Sequence, residues 1–190
     1  MKYLIDRDSL FKTLSVWNRH LKRRVHVIAC GGTALTLLNI KESTKDIDFM
    51  VPVPQEYSYL IKMLQNLGYE LKTGTGWAKG KGFIFDLFQE NLIFTTELLE
   101  SPLREGNNIL LKEYSYICLG VLNFYDLIIS KLFRFHPIDV SDCEKLYEAK
   151  KHEIDLERLK TRFIETSSYD IADEKHRKNF EYFLKQIGAE

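Results

Sequence analysis

Residues 31–50 read GGTALTLLNIKESTKDIDFM. Two glycines, Gly31 and Gly32, open the stretch, and two aspartates, Asp46 and Asp48, stand near its end. Ahead of it, Val25-His26-Val27-Ile28-Ala29-Cys30 is a strand-like run that the glycines break. Thr33 to Ile40 reads as a short helix. Asp46-Ile47-Asp48-Phe49-Met50-Val51 then alternates polar and apolar residues, the mark of a strand, and Pro52 and Pro54 end it. The stretch is a strand, a tight turn, a helix and a second strand.

Side chains two apart on a strand share a face. Asp46 and Asp48 would therefore repel each other across a few Å, and a divalent cation resolves that conflict. Mg²⁺, or Mn²⁺ in its place, suits such hard oxygen ligands, filling the rest of its shell with water and substrate phosphate. A solvated acidic strand face would be spelled the same way, since charged residues usually sit outside. What precedes the acids bears on the choice. Glycines let backbone approach a ligand closely, and free N–H groups at a helix start bind phosphate. Gly31, Gly32 and Thr33, whose hydroxyl can donate, form a candidate phosphate cradle. A third acid, Asp86, interrupts the apolar strand Phe83-Ile84-Phe85-Asp86-Leu87-Phe88, where a charge must be at an edge, paired or functional. Two-metal centres hold their ions ~3.5–4 Å apart and stabilise attacking and leaving oxygens, so Asp46, Asp48 and Asp86 together suit that chemistry.

Outward from this core, residues 8–22 predict a helix with Leu10, Phe11, Leu14, Trp17 and Leu21 on one stripe and Asp8 as its cap. Residues 55–67 predict a second helix, stopped by Gly68. Residues 69–72 can form a strand. The glycine-dense GTGWAKGKG (residues 74–82) reads as a hairpin turn or loop, and its Lys79 and Lys81 could reach phosphate or an RNA acceptor, or simply be solvated. Residues 109–118 look like another hairpin. From Val121 onward the pattern is helical, over 121–135, 140–150, 156–164 and 174–187. The class is α+β: a mixed sheet with flanking helices over residues 1–120, then a helical region, 121–190, packed on it.

The chain has 190 residues, 45% hydrophobic and 28% charged, with 27 basic against 27 acidic side chains. That balance argues against a nucleic-acid-coating protein, which would be strongly basic. Cys30, Cys118 and Cys143 form no CxxC pair, so neither a zinc site nor a redox motif is indicated. The opening MKYLIDRDSL lacks an apolar core of signal-peptide length, and no stretch approaches ~18 apolar residues. A cytoplasmic protein without a membrane partner is expected. The five histidines show no HxxxH spacing, and Phe124, Tyr125, Phe133 and Phe135 suit core better than base stacking.

The segment Gly31-Gly32-Thr33 … Thr44-Lys45-Asp46-Ile47-Asp48-Phe49, with Asp86 downstream, resembles the nucleotidyltransferase superfamily of DNA polymerase β. Within it, the TKDID wording is similar to prokaryotic nucleotidyltransferases related to abortive-infection (AbiEii-type) toxins. Asp126-Leu127-Ile128-Ile129-Ser130-Lys131-Leu132, then Arg134, Asp139 and Asp142, resembles a helix pair of that group, in which a lysine and an acid help form the site. By position these are Lys131 and Asp139 or Asp142. The chain departs from the pattern at Gly32, where serine is common, and at His136-Pro137, where an Arg-Lys pair is common. The resemblance implies a nucleotidyltransferase fold and transfer of a nucleoside monophosphate from an NTP, ATP among them. Asp46, Asp48 and Asp86 would hold the metals and Lys131 would contact the triphosphate. It further implies an acceptor hydroxyl on RNA (tRNA ends included), protein or a small molecule, and a cognate antitoxin or toxin protein as partner. The competing reading is a nucleotide- or partner-binding, antitoxin-like module without turnover.

Overall fold

The computed structural model describes residues 4–189. Met1–Tyr3, the start of the stretch read against a signal peptide, and Glu190 lie outside the described residues. A short strand β1 (Ile5–Asp6) leads into α1 (Arg7–His20). The cap is Asp6, whose side chain accepts from the Ser9 N–H at 2.8 Å, rather than Asp8, which already lies inside the first turn. Leu10, Leu14 and Trp17 are the buried stripe of α1. Then follow β2 (Val25–Ala29), α2 (Gly31–Leu37), β3 (Ser43–Thr44) and β4 (Ile47–Val51). The helix thus begins at the glycines themselves, two residues before Thr33. α3 (Pro54–Asn66) starts on a proline at its first turn, where the missing N–H costs nothing.

β5 (Glu70–Leu71) and β6 (Gly76–Ala78) come next. β6 corrects the reading of residues 74–82 as wholly turn. Glycine disfavours strand formation, but Trp77 is buried and β6 pairs with β7 (Phe85–Gln89). A small hairpin, β8 (Leu92–Ile93) and β9 (Thr96–Glu97), precedes β10 (Asn108–Glu113) and β11 (Ile117–Leu122). Val121 lies in β11, paired with Ala29, so the helical region begins at α4 (Phe124–Arg134), where the Asn123 side chain accepts from the Asp126 N–H. α5 (Pro137–Lys150), α6 (Leu156–Ser168) and α7 (Asp173–Gln186) complete the fold. His136-Pro137 is a helix start: Pro137 occupies the first turn of α5 and Asp139 accepts from the His136 N–H.

The main sheet has seven strands in the order β10-β11-β2-β4-β7-β6-β5. It is mixed: β11 with β2 and β4 with β7 run parallel, while β2 with β4 run antiparallel. Trp17 anchors the core behind its centre, with ring centroids 4.9 Å from Phe85, 6.2 Å from Tyr69 and 6.4 Å from Phe49. In the helical region Phe133, Phe163 and Phe180 pack on one another; of the aromatics read from sequence as core, Phe124 and Phe133 are buried, and Tyr125 and Phe135 pack partly buried against the cluster. One hydrophobic cluster runs through sheet and helices. No helix among the described residues is long and apolar enough to cross a membrane.

Candidate active site

β4 and β7 are parallel neighbours with Asp48 in register with Asp86. Two carboxylates on adjacent strands thus share one face of the sheet. Asp46, exposed just before β4, joins them, and all three line one cavity of about 250 Å³. Asp48 is only 4% exposed, and its Oδ1 has no hydrogen-bond partner among the described residues. Burial, followed by the charge of Asp86, pushes its carboxyl up to about 7. Thr75 Oγ1 donates to Asp86 Oδ1 at 2.7 Å and fixes that acid's orientation.

The glycine turn packs directly on this pair. Gly31 has φ 55°, and a Cβ there would fall 2.4 Å from Asp48 Oδ2, so both backbone and space require glycine. Gly32 lines the cavity, and a Cβ on it would meet Thr44 Oγ1 at 2.6 Å. The Thr44 hydroxyl thus stands beside the place a serine at 32 would occupy, and donates to the Asp46 carbonyl at 2.9 Å. Thr33 is fully buried. Its hydroxyl donates to the same carbonyl at 3.2 Å and accepts from the Asp48 N–H at 2.9 Å. The expectation of Thr33 as a phosphate donor is corrected: both functions of its hydroxyl are taken in holding the acidic strand. Gly31 likewise supports Asp48 from behind, and of the three cradle residues only Gly32 reaches the cavity.

The opposite wall comes from α4, α5 and the segment after α2. Lys131, which the resemblance sets as a triphosphate contact, is 2% exposed. Its Nζ sits 2.8 Å from Asp142 Oδ2 and 3.3 Å from Asp139 Oδ1. Arg134 donates to Asp139 through Nε at 2.8 Å and Nη2 at 2.5 Å, and Lys41 Nζ lies 3.0 Å from Asp142 Oδ1. Burial works to raise the Asp139 carboxyl, but the Arg134 hydrogen bonds and the Lys131 charge outweigh it and hold the group below its ordinary value. Lys41, Lys131, Arg134, Asp139 and Asp142 all line the same cavity as the three strand acids.

Lys79 and Lys81 are exposed and do not line the cavity. Sequence reasoning missed Lys41, Thr44, Thr75 and Phe94, which only the tertiary fold brings in. Arg134 was quoted for its motif but given no role, although it lies one turn from Lys131 on the same helix face.

Among the described residues, no group of three or more acidic, histidine or cysteine side chains is drawn together closely enough to hold a metal ion by itself. An unpartnered, buried carboxylate oxygen beside two more acids nonetheless fits a hard cation that takes one or two protein carboxylates and completes its shell from phosphate and water. Four cationic and five acidic side chains line the cavity, a net of one negative charge. A polyphosphate entering alone would face that field unneutralised.

The model of the family described as "Nucleotidyltransferase of unknown function (DUF6036)" matches residues 8–187. The chain belongs to this family. The nucleotidyltransferase is also similar to two solved structures of the antibiotic-resistance factor ANT(2'')-Ia. The crystal structure with adenylyl-2''-tobramycin is 13% identical, with 84% of this chain and 96% of that one covered and a TM-score of 0.56. The solution structure is 13% identical, with 89% and 95% covered and a TM-score of 0.58. At that identity the likeness shows the fold alone: a mixed sheet with seven helices arranged as a nucleotidyltransferase. No curated protein matches the chain.

Proposed function

We propose that this nucleotidyltransferase transfers a nucleoside monophosphate from an NTP, ATP among the candidates, to an acceptor hydroxyl, with Asp46, Asp48 and Asp86 as the metal-holding acids. The observation that carries the reading is the buried Asp48, its Oδ1 unpartnered and its carboxyl raised to about 7, in register with Asp86. A folded protein keeps such a group where function needs it. In the reaction the acceptor oxygen bonds to the α-phosphorus, the bond from that phosphorus to the bridging oxygen breaks, and pyrophosphate leaves. Mg²⁺ or Mn²⁺ bound at these acids supplies neutralisation of phosphate charge. Asp86, held by Thr75, takes the hydroxyl proton. Gly32 gives the nucleotide close access to backbone.

The acceptor belongs to RNA, a protein or a small molecule. The ANT(2'')-Ia complex holds an adenylylated small molecule, adenylyl-2''-tobramycin, which brings that class forward. A toxin-like role with an antitoxin partner rests on the TKDID and Asp126–Lys131 wording alone. The second reading, a nucleotide- or partner-binding module without turnover, is favoured by the lack of a closed metal cluster among the described residues.

One experiment separates them: the protein with Mg²⁺, each labelled NTP in turn, and total RNA or cell lysate. Label on an RNA, protein or small-molecule product supports transfer and names donor and acceptor. Retained Mg²⁺-dependent nucleotide binding without label supports the module. Nucleotide binding unchanged in Asp46→Ala/Asp48→Ala sinks the metal assignment.

A further inference from the structure

On the helical wall of the cavity, two buried aspartates each grip one cation that also reaches the cavity. Asp139 is fully buried and holds Arg134; Asp142, 2% exposed, holds Lys41. Lys131 lies between the two acids and binds both, which leaves it buried at 2%. The lysine that motif position singles out is thus an internal counter-charge. Its two neighbours are the cations with access: the Arg134 side chain is 33% exposed and that of Lys41 22%.

Arg134 is set like a preformed receptor. A guanidinium has five N–H donors. Nε and Nη2 bond Asp139, and Nη1 makes no hydrogen bond to any described residue. The plane is further fixed by the Phe94 ring, whose centroid lies 4.4 Å from the guanidinium carbon, and Phe94 lines the cavity as well. Charge and orientation are therefore in place before a ligand arrives, and the remaining N–H groups match the oxygens of a phosphate. Lys41 adds a second point charge from the Asp142 side.

We propose that Arg134 and Lys41 form a phosphate subsite that takes the polyphosphate chain of the nucleotide, across the cavity from the three strand acids. The assignment rests on the transfer reading above. Three cations against two acids leave this wall one positive charge in excess, which repels a cationic acceptor and which a neutral one does not use, so the anionic half of the donor is the chemistry that fits. Lys131 acts as a positioning residue, aligning both tethers.

The test uses the full chain with Mg²⁺ and tripolyphosphate, a probe without base or sugar, titrated by calorimetry beside Mg²⁺–ATP. Arg134→Gln is expected to weaken tripolyphosphate binding ~10–100-fold, as loss of a charge-assisted bond predicts. Arg134→Lys should recover only part, because it keeps the charge without the fork. Lys41→Gln should weaken binding about five-fold, the scale of a single ion pair that solvent still reaches. Melting curves for each variant separate this role from a structural one, which would lower the melting temperature and leave the affinity of the folded fraction unchanged. Should Arg134→Gln fail to fold, Lys41→Gln carries the test from the Asp142 tether. Wild-type affinity in both Arg134→Gln and Lys41→Gln overturns the subsite alone. A wild-type protein that binds neither tripolyphosphate nor ATP with Mg²⁺ overturns the transfer reading, and the subsite falls with it.

Discussion

The two walls of the cavity are built from the same kinds of side chain and are left in opposite states. On the helical wall, Asp139 and Asp142 are buried and ion-paired with Lys131, Arg134 and Lys41. On the strand wall, Asp48 is also buried, forms no ion pair with any described residue, and has one oxygen unpartnered beside the acid Asp86. Burial raises the free energy of any carboxylate. The helical acids recover it within the chain, whereas the strand acids wait on something from outside. Buried charge by itself therefore says little about function; whether its counter-charge belongs to the protein says much more.

The contrast can be broken from either side. The largest effect is expected at Lys131. Lys131→Met leaves two buried acids short of a partner and should destabilise the chain by about 3–5 kcal/mol, measured by urea unfolding. Wild-type stability in that variant would mean the helical wall is not locked by charge. On the strand wall, Asp48→Ala should lower transfer by ~10²–10³-fold while the chain stays folded, read by single-turnover label transfer together with circular dichroism.

The third effect concerns pH. Asp48 has a higher pKa folded than its ordinary 3.8, at about 7, so its protonated form is favoured by folding. Its contribution to stability is full below about 3.8 and is lost as pH rises to about 7. At ~1.4 kcal/mol per unit, the loss is at most about 4.5 kcal/mol. Urea midpoints of wild type and Asp48→Asn should diverge in favour of the variant between pH 4 and 8, and Mg²⁺ should restore wild type only. Parallel pH profiles would show that Asp48 is already neutralised within the chain. A smaller effect, about 1–3 kcal/mol, is expected for Gly31→Ala, which forces a side chain into left-handed backbone and against Asp48 Oδ2. Thermal melts with and without Mg²⁺ would show both the strain and the displaced acid.

The strand wall was largely legible in the sequence and the helical wall was not. Asp46 and Asp48 lie two apart, a spacing that reads as one strand face; Asp46 stands just before β4 rather than in it, yet both line the cavity. Asp86 announced itself by interrupting an apolar run. By contrast, Lys41 meets Asp142 from 101 positions away, a separation no local pattern spans. Lys131 was assigned to phosphate through its motif, but a motif fixes residue type and spacing, and depth follows only from how α5 packs on α4. Thr33 was read as a free hydroxyl because helix starts commonly offer one; a crossing strand takes it up instead. The strand β6 was hidden by glycines, whose weak propensity yields to pairing with β7. Lys79 and Lys81 were weighed on a loop whose direction sequence does not give, and they face solvent away from the cavity.

Phe49 and Phe85 follow and precede the two in-register acids by one position each, so they emerge on the far side of the sheet, and there both rest on Trp17. The spacing of the acids is thus governed from a layer that no substrate touches. The tryptophan works as a keel: shrinking it would let both strands drift together, and the carboxylates would lose their mutual alignment as a unit. Neither acid can be retuned alone without reseating a ring that serves them both.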